Sequence, residues 1–312
     1  MRQRSLKGGV ITLAISCAFY PLTVIPAQAA QAASTSGVTC VAATHAYDAL
    51  AKRMAADITA RLRGRAGSAG LNLTDSQTGV TCWYHSKQHF YAASVMKVTI
   101  LAALLRKTQE QHRKLTEAEL RNAWLMITQS DNDAANYLWF DVGLTFMQHF
   151  LDLAKMSHTK LDYHWGLSLL TAQDELRLLT LITGANDVLT KPSRIYARYL
   201  MAHVTPSQRW GVPAGAPRSV IVHVKNGWLP YPGSAWEINS IGTFTTTHRA
   251  YLIAMLTYGN PSMAYGIDTI EGAAEVIHAL LNPGKHKTIP ASVPGSSLGI
   301  PDEPVPSPAA RS

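Results

Sequence analysis

Apolar residues in the first part of the chain recur with helical and strand-like spacing. Between residues 45 and 62, large apolar side chains lie three or four positions apart, at Tyr47, Leu50, Met54, Ile58 and Leu62. This spacing predicts a helix that buries one face. The stretches 69–74 and 80–84 are apolar and are separated by the polar segment 75–79, which predicts two strands joined by a turn.

The rest of the chain divides into a helical middle and a strand-rich end. Helical spacing of apolar residues is found at 95–106, 117–128 and 176–183. From residue 220 the pattern changes and predicts strands at 220–225, 237–244 and 251–258, followed by a closing helix at 270–281. Because strands lie near both ends, we expect one sheet assembled from both ends of the domain, with helices inserted between them.

Residues 1–29 have the pattern of a signal peptide. A basic start is followed by an apolar stretch at 10–25, and Ala27-Gln28-Ala29 matches a signal-peptidase site. A membrane anchor and a lipoprotein site at Cys17 are the alternatives to cleavage. No later stretch has the roughly 18 apolar residues of a spanning helix, so we expect an exported protein without stable membrane insertion.

The mature chain is predicted to have three parts. Residues 30–42 are small and polar, which is typical of a flexible N-terminus. Residues 43–283 carry the helical and strand patterns and form the folded domain, with a helical subdomain at roughly 95–205. Residues 284–312 are rich in proline, serine and glycine, which predicts a disordered tail.

Composition and charge exclude several classes of protein. The chain of 312 residues is 47% hydrophobic and 15% charged, which is typical of a globular protein rather than a disordered one. Its net charge of +8 is basic, but the densest basic segments, 61–65 and 285–287, contain no aromatic residues. We therefore expect no nucleic-acid partner, while a mild attraction to anionic cell-wall polymers is compatible with the charge.

Two of the three cysteines remain after removal of the leader. Cys40 and Cys82 each end a Gly-Val-Thr-Cys tetrapeptide. In an oxidising compartment this pair predicts a disulfide, which would stabilise the fold by roughly 4 kcal/mol. The alternative is two free, buried thiols.

The first candidate for chemistry is Ser94-Val95-Met96-Lys97 at the start of a predicted helix. Residues three positions apart share a helix face, so the amine of Lys97 can accept the proton of the Ser94 hydroxyl. The backbone N–H groups at the helix start would stabilise an oxyanion. The same spacing at Ser157 and Lys160 has no such surroundings, and we interpret it as chance.

Two further motifs follow along the chain. Ser130-Asp131-Asn132 comes after a predicted helix, and its alternative interpretation is an N-cap of the next helix. Lys225-Asn226-Gly227 ends a predicted strand, where the lysine can bind a carboxylate and the glycine lets a substrate approach an open edge. The alternative for this motif is an ordinary turn at Asn-Gly.

The order Ser-X-X-Lys, Ser-Asp-Asn, Lys-X-Gly resembles that of the penicillin-recognising serine hydrolases, which include class A β-lactamases and penicillin-binding proteins. More narrowly, the chain looks like the secreted, class A β-lactamase-related hydrolases of actinomycetes. The resemblance implies an α+β fold, with an antiparallel sheet flanked by N- and C-terminal helices and an all-helical subdomain. No cofactor and no metal are implied.

The resemblance also implies a role for each motif residue. Ser94 would be the acylated nucleophile and Lys97 its proton acceptor. Ser130 would pass a proton to the leaving nitrogen, Asn132 would hold the substrate amide, and Lys225 would bind the substrate carboxylate.

The oxyanion hole and the third motif complete this assignment. The backbone N–H groups of Ser94 and Trp228 would form the oxyanion hole. Asn226, Gly227 and Trp228 would line the substrate site, but Asn226 stands where the family has Thr or Ser, and Trp228 stands where a small residue is common. We therefore expect a pocket of different shape.

A second departure concerns the loop between the second and third motifs. Class A β-lactamases carry there a glutamate that activates the water for deacylation, whereas residues 161–171 of this chain contain no glutamate. Asp162 and His164 are the candidates for a substitute base, although Asp162 equally fits a structural salt bridge and His164 a packed loop histidine. General-base help is typically worth 10²–10⁴-fold. We therefore expect acylation with slow turnover.

The sequence predicts a secreted serine hydrolase that acts through an acyl-enzyme on β-lactam-like or carboxylate-bearing amides. Association with the cell wall is the alternative to free secretion. A D-alanyl peptidase or an esterase acting on wall peptides or a secreted metabolite is one alternative. A penicillin- or wall-binding protein without turnover is another. The expected partner is a small molecule or a peptidoglycan peptide, and the expected state is a monomer.

Overall fold

The computed structural model describes residues 37–231, 235–284 and 288–290. The predicted signal peptide and most of the predicted tail lie outside these ranges. The described helices are α1 (Asp48–Leu62), α2 (Met96–Glu110), α3 (Glu117–Thr128), α4 (Asn132–Val142), α5 (Leu144–Leu153), α6 (Ala172–Thr183), α7 (Lys191–Ala202) and α8 (Met263–Leu281). None of them is long and apolar enough to cross a membrane.

The described strands belong to two antiparallel sheets. They are β1 (Thr39–Val41), β2 (Ser68–Asp75), β3 (Thr81–Tyr84), β4 (Phe90–Tyr91), β5 (Leu169–Leu170), β6 (Ile221–Tyr231), β7 (Ala235–Thr245) and β8 (Ala250–Asn260). Six of them form one sheet in the order β1-β3-β2-β8-β7-β6, and β4 pairs with β5. The expected α+β fold, with a sheet drawn from both ends of the domain and the helices α2–α7 between them, is confirmed.

The amphipathic pattern of the first helix is confirmed by its packing. Ala51, Met54 and Ile58 on α1 are buried, and α1 lies against α8. The strands β7 and β8 are almost wholly buried along their length, because helices cover the sheet. This burial explains why β8 has a nearly continuous apolar sequence instead of an alternating one.

The segment predicted as a flexible N-terminus, 30–42, is ordered where it is described from residue 37. Thr39–Val41 pairs with β3, and Cys40 lies opposite Cys82 in that register. The two cysteines form the predicted disulfide, with an S–S distance of 2.03 Å. The prediction of flexibility is wrong for these strand residues. Their pairing partner, β3, is about forty residues away in sequence, so the composition of the segment itself does not indicate the pairing.

The predicted disordered tail, 284–312, is also ordered at the three residues 288–290. Gly215 N–H donates to Ile289 O at 2.8 Å, and Ile289 N–H donates to Ala216 O at 2.8 Å. Pro217 and Thr288 form an antiparallel bridge. The prediction is therefore wrong for this short stretch, since its backbone is hydrogen-bonded to another segment, and the remainder of the tail lies outside the described residues.

Candidate active site

Ser94 lies in a single 3-10 turn, Ala93–Val95, that leads directly into α2. The residue before it, Ala93, has a φ of 44°, which non-glycine residues adopt rarely. Ser94 itself is half-buried, while its neighbours Ala93 and Val95 are buried. The predicted nucleophile is thus held on a strained turn at a helix N-terminus, a place where backbone N–H groups can stabilise an oxyanion.

Lys97, one turn further along α2, is completely buried, with 0% of its side chain exposed. Its Nζ donates to Ser130 O at 2.6 Å, to Ser130 Oγ at 3.2 Å and to Asn132 Oδ1 at 2.8 Å. Burial and the nearby charge of Lys225 hold the pKa of the Lys97 amine well below its usual value. A neutral amine at this position can accept a proton from a hydroxyl.

In the segment Ser130-Asp131-Asn132, the middle residue caps a helix and the two outer residues contact Lys97. Asp131 Oδ1 accepts from Ala134 N–H at 2.7 Å and caps α4, so the N-cap interpretation holds for this residue. Ser130 has a φ of 58°, and Ser130 and Asn132 point their side-chain oxygens toward Lys97. Capping by Asp131 therefore fixes the two flanking residues in the site.

Lys225 lies on β6, which is an edge strand of the large sheet. Its Nζ donates to Ser130 Oγ at 2.9 Å and to Asn226 O at 2.8 Å. Burial lowers the pKa of the Lys225 amine to about 7. The three motifs therefore meet at one hydroxyl, since Ser130 Oγ is within hydrogen-bonding distance of both Lys97 and Lys225.

Gly227 brings β6 against the turn that carries Ser94. A Cβ atom at Gly227 would lie 2.8 Å from Ser94 N and 2.9 Å from Val95 N, both of which are backbone atoms. Only a glycine allows this approach of the strand to the nucleophile. The predicted oxyanion hole needs the N–H groups of Ser94 and Trp228 close together, and this contact supports that prediction.

The side chains of Asn226 and Trp228 face away from Lys225 and Gly227, as strand alternation requires. Asn226 Nδ2 donates to Gln208 O at 2.9 Å and to Trp210 O at 2.8 Å, and the residue is fully buried. The ring of Trp228 packs against that of Trp210 with a centroid distance of 6.0 Å. Both side chains anchor the segment around Trp210, and substrate contact by either stays a prediction.

Trp165 is a site residue that none of the three sequence motifs contains. The Nζ of Lys97 lies 4.7 Å from the centroid of its ring, a cation–π distance. Trp165 Nε1 donates to Asn136 Oδ1 at 2.8 Å, which fixes the plane of the ring. The four-residue spacing between Asn132 and Asn136, on one face of α4, is the only sequence signal that links this contact to the second motif.

The two candidate deacylation bases lie in the same loop as Trp165 but make local contacts. Asp162 Oδ1 accepts from His164 N–H at 2.8 Å, and Asp162 N–H donates to Ser168 Oγ at 3.1 Å. The His164 side chain is exposed, and its ring packs edge-on against Tyr163. Across the described ranges, neither residue is hydrogen-bonded to Ser94 or Lys97, so their role as bases stays a prediction.

Among the described residues, no three His, Cys, Asp or Glu side chains are grouped so that they could hold a metal ion. The arrangement instead offers two amines, two hydroxyls and backbone donors at a helix start. These groups can activate a hydroxyl, stabilise an oxyanion and protonate a leaving nitrogen.

The chain matches the sequence profile of the "Beta-lactamase enzyme family" over residues 52–122 and 119–281. It belongs to this family, and it is a β-lactamase-like serine hydrolase acting on amide bonds. The resemblance inferred from the three motifs is thereby confirmed at the level of the family. A search of curated proteins found no match.

Solved structures share the fold at low sequence identity. A β-lactamase from Xanthomonas campestris pv. campestris is 20% identical with a TM-score of 0.64, over 75% of this chain and 99% of that one. A class A β-lactamase from Bacteroides cellulosilyticus is 16% identical with a TM-score of 0.65, over 74% and 98%. PBP-A is 20% identical with a TM-score of 0.63, over 75% and 96%.

Proposed function

We propose that the protein is an exported acyl-enzyme hydrolase for amides with a nearby carboxylate, meaning β-lactams or D-alanyl peptides, and that it releases its acyl group slowly. The observation that carries the proposal is the position of Ser130 Oγ, which is 3.2 Å from Lys97 Nζ and 2.9 Å from Lys225 Nζ. Two buried amines at one hydroxyl form a path for the proton that an amide nitrogen needs in order to leave.

Acylation begins at Ser94. The neutral amine of Lys97 takes the hydroxyl proton as Ser94 Oγ attacks the substrate carbonyl carbon, and the oxyanion is stabilised by the N–H groups of Ser94 and Trp228. The C–N bond then breaks, and Ser130 gives its proton to the leaving nitrogen. Ser130 recovers a proton from the ammonium of Lys97, so that the proton removed from Ser94 is the net proton delivered to the leaving group.

Recognition of the substrate rests on one cation and one amide. Lys225 supplies the charge for a carboxylate, because its ammonium already occupies the hydrogen-bonding position beside Ser130. Asn132 begins α4 with an exposed side chain and can bind the substrate amide while it orients Lys97 through its Oδ1.

Slow deacylation is supported by what surrounds Lys97. Across the described ranges no carboxylate is hydrogen-bonded to its Nζ, and the face of Trp165 covers it instead. Hydrolysis of the acyl-enzyme needs a base for the attacking water, and loss of general-base help costs about 10²–10⁴-fold in rate. A variant of PBP-A has been captured as an acyl-enzyme complex with penicillin G.

Export and partners belong to the same proposal. The Cys40–Cys82 disulfide is the kind of bond that persists in oxidising compartments, which supports secretion. The site takes a small molecule or a wall peptide, and we expect a secreted monomer with no nucleic-acid partner.

The test is a turnover screen of the mature protein, with Ser94→Ala as control, on a penicillin, a D-Ala-D-Ala peptide and a simple ester without a carboxylate. The proposal predicts slow, Ser94-dependent product formation on the carboxylate-bearing amides and less on the ester. Turnover of the ester alone would favour the esterase alternative. Binding without any Ser94-dependent product or adduct would favour a non-catalytic binding protein.

A further inference from the structure

Ser94, the proposed nucleophile, directly follows a residue with a strained backbone conformation. Contacts with neighbouring residues must therefore stabilise this turn. Ala93, directly before Ser94, has a φ of 44°. Such a conformation is strained and persists only where the surrounding contacts determine it. The contacts that could do so involve the residues just before the strain, Tyr91 and Ala92.

Asn239 on β7 makes two of these contacts. The residue is fully buried, and its Nδ2 donates to Tyr91 O at 2.8 Å and to Ala92 O at 3.3 Å. Its Oδ1 accepts from Thr257 N–H on β8 at 3.3 Å. A single side chain thereby connects two central strands to the two carbonyls that precede Ala93.

The register of the sheet adds to this arrangement. Asn239 is the cross-strand partner of Gly227 on β6. A Cβ at Gly227 would lie 2.8 Å from Ser94 N, so the pair brackets the nucleophile turn from two adjacent strands. Gly227 allows close approach on one side, and Asn239 holds the entering strand on the other.

Glu237 lies two residues before Asn239 and therefore on the same face of β7. Its side chain is buried, with 2% exposed, and it is hydrogen-bonded to the backbone of Tyr91. Burial raises the pKa of this carboxyl to about 9, so it is neutral at pH 7. Oε2 of the carboxyl has no partner among the described residues.

We propose that Asn239, assisted by Glu237, is a positioning residue for Ser94. The two side chains substitute for a neighbouring strand and fix the Tyr91–Ala92 peptide. This fixes the turn at Ala93 and the direction of the Ser94 N–H that faces the oxyanion. The inference rests on the proposed role of Ser94 as nucleophile, but it does not depend on which substrate is hydrolysed.

The test uses a fluorophosphonate, which reports on Ser94 without a carboxylate-bearing substrate. Ser94 Oγ forms the bond to phosphorus, the P–F bond breaks, fluoride leaves, and Lys97 takes the hydroxyl proton. Wild type and Asn239→Asp are compared for labelling rate and, in parallel, for acylation by a penicillin. Asp replaces the donating amide by a group that repels both carbonyls.

The matched control is Asn260→Asp. Asn260 is equally buried and donates to Trp236 O at 2.9 Å and to Thr257 Oγ1 at 2.9 Å, in the same network but away from the nucleophile turn. Since a misplacement of about 1 Å can cost about 100-fold, we expect Asn239→Asp to slow both reactions by about 10- to 100-fold per folded molecule. Asn260→Asp should lower the melting temperature similarly and leave both rates within about 3-fold.

Two results would overturn the proposal. One is labelling of folded Asn239→Asp at the wild-type rate, and the other is an equal loss of rate in Asn260→Asp, which would indicate general destabilisation. Glu237→Gln, which keeps a hydrogen-bond acceptor, should retain the rate at pH 7, whereas Glu237→Leu should not. Fluorophosphonate labelling of wild type without penicillin acylation would contradict the proposed substrate and leave the positioning role standing.

Discussion

At the scale of single residues, the site depends on the buried amines of two lysines. Lys97 and Lys225 are both fully buried, and neither has a carboxylate partner at hydrogen-bonding distance among the described residues. Burial of an ammonium disfavours the charged form, which lowers the pKa of both amines. An amine with a lowered pKa gives up its proton more readily than an exposed lysine, which is what acid–base catalysis on an amide requires.

The pKa of Lys225, about 7, predicts a pH dependence for substrates with a carboxylate. Below that pH Lys225 is charged and binds the carboxylate, and above it the cation is lost. We expect kcat/KM for a penicillin to fall as the pH rises above 7, through KM rather than kcat. Lys225→Arg, which stays charged, should remove this alkaline decrease, and an unchanged decrease in that variant would contradict the assignment.

Trp165 predicts a second pH effect, on Lys97. The ring helps to exclude water from the ammonium, so Trp165→Ala should expose Lys97 and raise the pKa of its amine. A smaller fraction is then neutral at pH 7, and the acidic limb of the acylation rate should move to higher pH. Trp165→Phe keeps an aromatic face and is the control. Coincident pH profiles for the Ala variant and wild type would show that the ring does not influence this base.

At the scale of the elements, segments with a clear apolar pattern were predictable, and segments held by partners far away in sequence were not. The helix at 48–62 has apolar residues at helical spacing, and β8 has a nearly continuous apolar run, so both could be recognised. Thr39–Val41 and Thr288–Pro290 are held by partners far away in sequence, so their local composition suggests loops.

Site residues could be predicted from the sequence only where they belong to one of the three motifs. Lys97, Ser130 and Lys225 stand in motifs whose order is informative, and the structure brings their side chains together. Trp165 and Asn239 belong to no motif. The contact of Trp165 depends on how a loop packs against α2, and those of Asn239 depend on how β7 packs against Tyr91 and Ala92. Tertiary contacts of this kind leave no periodic signal in one sequence.

The approach of β6 to the nucleophile turn gives a prediction for Gly227. A Cβ there would lie 2.8 Å from Ser94 N. Relieving this clash would require a shift of the backbone of β6 or of the Ser94 turn, and either shift would move the proposed oxyanion hole. We expect Gly227→Ala to reduce acylation of Ser94 by at least about tenfold and to lower stability by 1–3 kcal/mol, the usual range for overpacking.

Gly272→Ala is the matched control for this substitution. Gly272 lies within α8, and the nearest atom to an added Cβ is Arg61 Cζ at 3.5 Å, an ordinary contact. This change should leave acylation unaltered and be neutral or slightly stabilising. Normal acylation by folded Gly227→Ala would contradict the close contact between β6 and Ser94.

At the scale of the whole molecule, buried titratable groups couple stability to pH. His278 on α8 is buried against the sheet, where it is hydrogen-bonded to Tyr251 OH at 2.9 Å and to Val212 O at 2.7 Å. Burial lowers its pKa to about 4. Between pH 6.5 and 4 the unfolded chain therefore binds more protons at this residue than the folded one, and its contribution destabilises the fold as the pH falls.

His278→Gln isolates this contribution from buried acids such as Glu237, whose raised pKa acts with the opposite sign. Between pH 7 and pH 5, the free energy of unfolding of wild type should fall by about 2 kcal/mol relative to that of the variant. The measurement is urea unfolding at both pH values. Exposed His248→Gln should follow wild type, and a constant difference between wild type and His278→Gln would contradict the buried, neutral state of His278.

The central claim is that Ser94 is acylated by a carboxylate-bearing amide and is deacylated slowly. Intact-protein mass spectrometry of the mature chain with a penicillin, followed over time beside Ser94→Ala, tests both parts at once. The account predicts an adduct of the full mass of the penicillin on wild type, absent from Ser94→Ala, that persists and decays over many minutes. An adduct that forms equally on Ser94→Ala, or the complete absence of an adduct and of hydrolysed product, would contradict it.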